Sequence, residues 1–246
     1  MELTIIRFKR RTPGEMKRIN RIRTWIWKTI VKMILCLFCF TIVQVLALKY
    51  INPPFTPDVA WEWAEAIIKN TPDKRPRYVW KDIKAVSPHL RRAVIAAEDQ
   101  RFLSHNGFDV TEIKNAVSNL IRHGKLRGAS TISMQTARSV FLLSSRSVFR
   151  KLAEAYYTVL IELFWDKRRI FEMYLNTVDW GTNVTGAEAA AQKYYSKSAR
   201  HLTSNQAALM TAILPNPHKW SVKHPTQYLK MRQRQIMKNM PQMPLL

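Results

Sequence analysis

Apolar residues run almost unbroken through positions 29–48, "TIVKMILCLFCFTIVQVLAL". About 20 such residues span a bilayer as a helix, so this stretch is predicted to be a membrane-crossing segment. Lys32 stands near one end, where its ammonium can snorkel, and Gln44 is a tolerable polar intrusion. Beyond Ser87 the pattern changes to apolar positions three and four apart, the spacing of one helical face. Residues 88–98 align Leu90, Ala93, Val94 and Ala97, and residues 109–122 align Val110, Ile113, Val117, Leu120 and Ile121. Residues 147–165 align Phe149, Leu152, Tyr156, Leu160 and Leu163. Residues 167–178 align Ile170, Phe171, Tyr174, Leu175 and Val178. Each stripe predicts a helix packing that face inward. Capping boxes at Thr185/Glu188 and Thr203/Gln206 predict two further helix starts. No run of strand-like alternation and no internal repeat interrupts this, so the fold class is mainly α: one helical domain behind one N-terminal transmembrane helix.

Linker chemistry and charge divide the chain further. "INPPFTPD", residues 51–58, has three prolines in eight positions and reads as a short stiff connector. Residues 59–69, with Trp61 and Trp63, form a candidate short helix, and "NTPDKRPRYVW" a loop or extended segment. The predicted organisation is a basic segment 1–28, an anchor 29–48, a membrane-proximal linker 49–74, a main domain 75–222 and a basic tail 223–246.

The whole chain carries 40 Lys+Arg against 17 Asp+Glu, a net +23. Residues 1–28 hold nine Lys/Arg against two Glu, so the positive-inside rule places this end in the cytoplasm, with Trp25 and Trp27 at the interface. No small-residue cleavage site follows the span, which favours an uncleaved single-pass anchor over a removed signal peptide. The remaining residues, 29–246, keep +16. On the far side of a cytoplasmic membrane that surplus argues against nucleic acid and for anionic lipid head groups or a phosphorylated lipid. Both cysteines, Cys36 and Cys39, fall inside the span, so no disulfide framework is expected outside it.

Three stretches offer chemistry. In "AVIAAEDQRFLSHNGFD" an apolar helix ends on Glu98 and Asp99, with Phe102, His105 and Gly107 close behind. A carboxylate at a helix C-terminus, partly buried and beside a like charge, gains affinity for protons and suits general acid–base work. The competing reading is a pair of solvated end-of-helix charges. In "RGASTISMQTAR" neutral donors Ser130, Thr131 and Gln135 sit between Arg127 and Arg138, a set that fits a diphosphate or a sugar. The competing reading there is a helix cap with surface polar residues. Ser130 lies outside a GxSxG turn and has no nearby histidine, which argues against a nucleophile. In "RKLAE" Arg150 and Lys151 share a helical face with Glu154, an arrangement also common as a plain surface ion pair. The six histidines show no paired helical spacing for a metal.

Together these stretches resemble the family 51 glycosyltransferase domain of peptidoglycan synthases. Glu98, Asp99, Phe102, His105 and Gly107 match EDxxFxxHxG, and Gly128, Ser130, Thr131, Ile132 and Gln135 match GxSTIxxQ. Arg150, Lys151 and Glu154 match RKxxE. "KRRIFEMYLN" is similar to KxxILExYLN, with Lys167, Ile170, Glu172, Tyr174, Leu175 and Asn176 in place. "WGTNVTGAEAAAQKYYSKSARHLTSNQAALMTAILPNP" continues the resemblance, which covers residues 75–220. Two positions depart: Arg138 stands where the family usually has Lys, and Phe171 where it has Leu. No transpeptidase stretch follows, as in the monofunctional members rather than the bifunctional penicillin-binding proteins.

The resemblance implies a lysozyme-like helical fold and lipid II as substrate, polymerised into β-1,4-linked glycan with release of undecaprenyl diphosphate. It implies Glu98 as general base and Glu154 as a second catalytic acid. Substrate binding falls to Asp99, Phe102, His105, Arg127, Ser130, Thr131, Gln135, Arg138, Arg150, Lys151 and Asn176. No cofactor is expected to be required, although a divalent cation at the substrate diphosphate would be compatible. Expected partners are the membrane, the growing lipid-linked glycan and cell-wall synthesis or division proteins. Two other functions share some of these features. One is a lytic, lysozyme-like enzyme that cuts finished glycan; the other is a non-catalytic, membrane-anchored partner of the wall machinery. The first has no use for a cluster of diphosphate-binding cations, and the second none for both glutamates.

Overall fold

The computed structural model describes residues 13–72, 75–124, 128–145 and 147–246. The chain divides into two units, residues 1–47 and 48–246. The first is dominated by helix α1, Pro13–Tyr50. Its stretch Asn20–Tyr50 has a mean hydropathy of 2.4 and is long and apolar enough to cross a membrane. The helix therefore extends well beyond the apolar run 29–48, because no helix breaker separates that run from the basic turns before it.

In the second unit the α-helices are α2 (Pro57–Ile68), α3 (Pro88–Glu98), α4 (Val110–His123), α5 (Ile132–Phe141), α6 (Val148–Phe164), α7 (Lys167–Thr177), α8 (Ala187–Tyr195), α9 (Ser204–Ala212) and α10 (Gln227–Asn239). Short polar side chains start most of them. Ser87, Thr131, Ser147, Asp166 and Thr226 each accept a hydrogen bond from a backbone N–H of the first turn of their helix. The core centres on α7, whose Ile170, Phe171, Met173, Tyr174 and Leu175 are fully buried. Helix α5 packs against α6, α7 and α2, while α3 packs against α9 and α10.

A small sheet accompanies the helices of this mainly α fold, with its first strand inside the stretch expected to be loop or extended. Strands β1 (Arg77–Tyr78), β2 (Asp179–Gly181) and β3 (Val184–Thr185) lie in the order β1-β3-β2. Strand β1 runs parallel to β3, with Arg77 opposite Val184, and β2 runs antiparallel to it. Strands of two or three residues are too short to show alternation. The Thr185/Glu188 capping box also fails to form. Gly186 is the N-cap of α8, at φ +87, in a spot where a Cβ would stand 2.7 Å from the Asn176 carbonyl oxygen. Glu188 is buried and instead accepts hydrogen bonds from Ser198, Ala199 and Gln192. The Thr203/Gln206 box forms as expected.

Two apolar stripes point the other way from expectation. On α4, Val110, Ile113, Val117, Leu120 and Ile121 are exposed, and Ala116 is the only buried residue described on that helix. On α6, Phe149, Leu152 and Leu163 are exposed, and the buried side carries Glu154, Thr158, Leu160 and Ile161. Within the basic tail, residues 223–246, α10 buries Leu229 and Ile236 and packs on α3 and α9.

Candidate active site

Glu98 is the last residue of α3, and Asp99 leaves the helix at φ −162. That turn separates the two adjacent carboxylates. Asp99 is buried, and its Oδ2 accepts from the backbone N–H of Ile132 at 3.0 Å, pinning the first turn of α5. His105 Nε2 lies 3.0–3.1 Å from both Asp99 oxygens. Phe102 is fully buried against Phe171, with the Lys167 ammonium 4.6 Å from its ring centroid. Lys167 also donates to the His105 carbonyl at 2.6 Å and to Glu162 at 2.7 Å.

Gly107 sits at φ +88 under α6, where a Cβ would meet Thr158 at 2.8 Å. Its carbonyl accepts from Thr131 at 2.6 Å. Asp99, Phe102, His105 and Thr131 thus form an internal brace that fixes α3, α5 and α6. An imidazole nitrogen and the carboxylates of Asp99 and Asp109 come within 4.8 Å of one another. Asp99 also accepts from the Ile132 N–H and Asp109 from those of Thr111 and Glu112, so these side chains hold the first turns of α5 and α4 in place.

The Glu98 carboxylate stands apart from that brace, with its side chain only 11% exposed. Gln135 Nε2 donates to its Oε2 at 3.1 Å, and Arg232 of α10 faces its Oε1 at 3.4 Å. Tyr174 donates to Gln135 Oε1 at 3.4 Å, which turns the amide nitrogen toward Glu98. Burial pushes the Glu98 carboxyl above the usual glutamate range, and the Asp99 charge adds to this. The Gln135 hydrogen bond and the charges of Arg232 and Arg138 pull partway back.

Glu154 is held differently. It is fully buried on α6, where Arg150 donates to its Oε2 at 2.7 Å and Lys151 to its Oε1. The ordinary surface ion pair that i,i+4 spacing suggests is thus an inward one. A cavity of about 640 Å³ is lined by Gln135, Arg138 and Arg150, so the side chains that touch Glu98 and Glu154 meet in one space. Its other wall carries Asp58, Glu62 and Asp179, with His218 paired to Asp179 at 2.6 Å.

The remaining expected site residues fall in several places. Ser130 is half-buried in the segment leading into α5. Asn176 is buried and clamps the Lys81 backbone, accepting from its N–H at 2.8 Å and donating to its carbonyl at 2.9 Å. Arg127 lies outside the described residues. Arg232 and Tyr174 were absent from the expected set. Arg232 is 134 positions from Glu98 and its stretch carries no local signal, whereas Tyr174 reads as an ordinary core residue within its stripe.

Comparison with known proteins agrees with this arrangement. The transglycosylase family matches residues 64–241. A biosynthetic peptidoglycan transglycosylase of Shewanella oneidensis is 42% identical over 230 residues, 93% of this chain and 95% of its own. Proteins with the same description from Aeromonas hydrophila and Stutzerimonas stutzeri are 43% and 44% identical, each over 86% of this chain and over 89% and 87% of their own lengths respectively. With its acids, cations and helices in this order, the chain belongs to the transglycosylase family.

Proposed function

We propose that this protein is a peptidoglycan glycosyltransferase that polymerises lipid II into β-1,4-linked glycan and releases undecaprenyl diphosphate. The observation that carries the reading is a nearly buried, proton-avid Glu98 hydrogen-bonded to Gln135, which lines one cavity with Arg138 and Arg150. Glu98 takes the proton from the acceptor sugar hydroxyl as that oxygen attacks the donor anomeric carbon. The bond from this carbon to the phosphate oxygen breaks, with inversion, and negative charge gathers on the departing diphosphate. Arg138, Arg150, Lys151 and the Gln135 amide supply the compensating donors.

Glu154 serves this chemistry by orienting Arg150 and Lys151. Both of its oxygens are occupied by those cations, so the donor set suits protein-held charges at the diphosphate and fits a divalent metal ion poorly. The buried brace of Asp99, Phe102, His105 and Thr131 acts by holding the helices that carry Glu98 and Gln135.

The membrane completes the reading. The N-terminal basic segment is cytoplasmic, α1 crosses the cytoplasmic membrane once, and the catalytic domain works on the far side, where the lipid-linked substrate is confined. The exposed apolar stripes of α4 and α6, with Lys114 and Arg122 beside the former, suit acyl chains and anionic head groups.

The test is incubation of the purified full chain in detergent micelles with labelled lipid II, alongside Glu98→Gln. Polymer from the wild type and none from the variant is expected. Equal polymer from both would remove Glu98 from its role, and degradation of mature sacculi instead of synthesis would replace the synthase reading with the lytic one.

A further inference from the structure

The C-terminal helix contributes a side chain to the base. From the contacts of α10 we infer that Arg232 is a positioning residue, holding the Glu98 carboxylate ionised and oriented to receive the acceptor proton. This rests on Glu98 being the base, and it extends that reading to a helix that the motif resemblance did not reach.

Three contacts support it. Gln135 donates to Oε2 at 3.1 Å, a single bond that leaves the carboxylate with lone pairs to offer. The Arg232 guanidinium faces Oε1 at 3.4 Å, longer than a tight bidentate ion pair. A carboxylate so attended stays anionic without being locked. Arg232 Nε also donates to the Ala212 carbonyl at 3.2 Å, at the C-terminal end of α9. Carbonyls there lack helical partners, so the guanidinium is tied to the α9–α10 seam and cannot swing freely into the cavity.

Few other charges compete for the role. Asp99 on the α3 side repels the Glu98 charge, while Arg138 of α5 attracts it from the cavity wall. From α7 only the hydroxyl of Tyr174 approaches, through Gln135, and burial keeps that phenol protonated. Helix α9, "SNQAALMTA", contributes no ionisable side chain. Removing the cation on Oε1 therefore leaves burial and Asp99 opposed only by Gln135 and Arg138. The Glu98 carboxyl must then titrate at higher pH.

The experiment uses the full chain labelled with ¹³C at glutamate carboxyls, with the Glu98 signal assigned by its loss in Glu98→Gln. Arg232→Met is expected to raise the Glu98 midpoint by about one pH unit, the low end for losing an adjacent opposite charge. The acid limb of glycan formation should move up with it, so that loss of rate is greatest at low pH and recovers as pH rises. Arg232→Lys should show a smaller shift, because the positive charge is kept while the fixed fork of donors is lost. It also provides the measurement if the methionine variant folds poorly, as judged by thermal melting. A midpoint that stays in place in both variants overturns the inference, as does a loss of rate equal at every pH. A midpoint that moves while the acid limb of polymer formation stays put supports the hold of Arg232 on Glu98 and removes Glu98 from the base role, which separates the two claims.

Discussion

Glu98 and Glu154 are the same side chain, each on a helix and each almost out of water, yet their neighbourhoods make them opposites. Glu154 sits within α6, one turn beyond the residues that hold it, with a cation on each oxygen. Glu98 is the last residue of α3, and its oxygens meet one neutral amide and one guanidinium. The first is a fixed counter-ion that spaces two positive groups. The second has its carboxyl pushed by burial toward the protonated form. The charge and hydrogen bonding of the nearest neighbours, rather than residue type, set the two acids apart.

Substitutions can break this contrast. The largest effect belongs to Glu98→Gln, expected to lower polymer formation by about 10²–10⁴-fold, the usual worth of a general base, with no loss of melting temperature. Glu154→Gln should act first on the fold. It leaves Arg150 and Lys151 without their buried partner, and the cost is expected at the low end of about 3–5 kcal/mol because Lys151 is half exposed, as read in chemical denaturation. If Glu154→Gln instead kept full stability and lost only turnover, the two acids would have to share the chemistry.

The pH dependence of stability sharpens the comparison with a sign. The folded Glu98 carboxyl titrates above its unfolded value of 4.5, so the native state binds the extra proton between those two points. Its contribution to stability is therefore present below pH 4.5 and lost as pH rises through the folded value. Glu98→Gln should consequently be more stable than wild type at neutral pH, with the difference vanishing in acid; a constant difference across that range would contradict the burial effect. Tyr174→Phe should do least, a severalfold loss of rate, because its bond to Gln135 is long at 3.4 Å and only orients the amide.

The sequence made some of this legible. The α7 stripe proved inward at all five positions, and "ED" at the close of an apolar run marked the end of α3 and its unusual acid. The stripes on α4 and α6 misled because periodicity reports that a face is apolar, not what covers it. The inward side of α6 carries Glu154 and Thr158, residues that composition assigns to solvent. The division of labour between Glu98 and Asp99 was likewise hidden. It depends on one backbone turn and on Ile132, 33 positions away from Asp99. Arg232 was invisible for the same reason, being brought to Glu98 only by the packing of α10 on α3.

The outward non-polar side chains of α4 and α6 belong to the unit beyond residue 47, not to α1. Cutting away the anchor would therefore not yield a well-behaved water-soluble enzyme. Such a fragment would adsorb to vessel walls, foam on agitation and clump on concentration unless an amphiphile were supplied throughout its preparation.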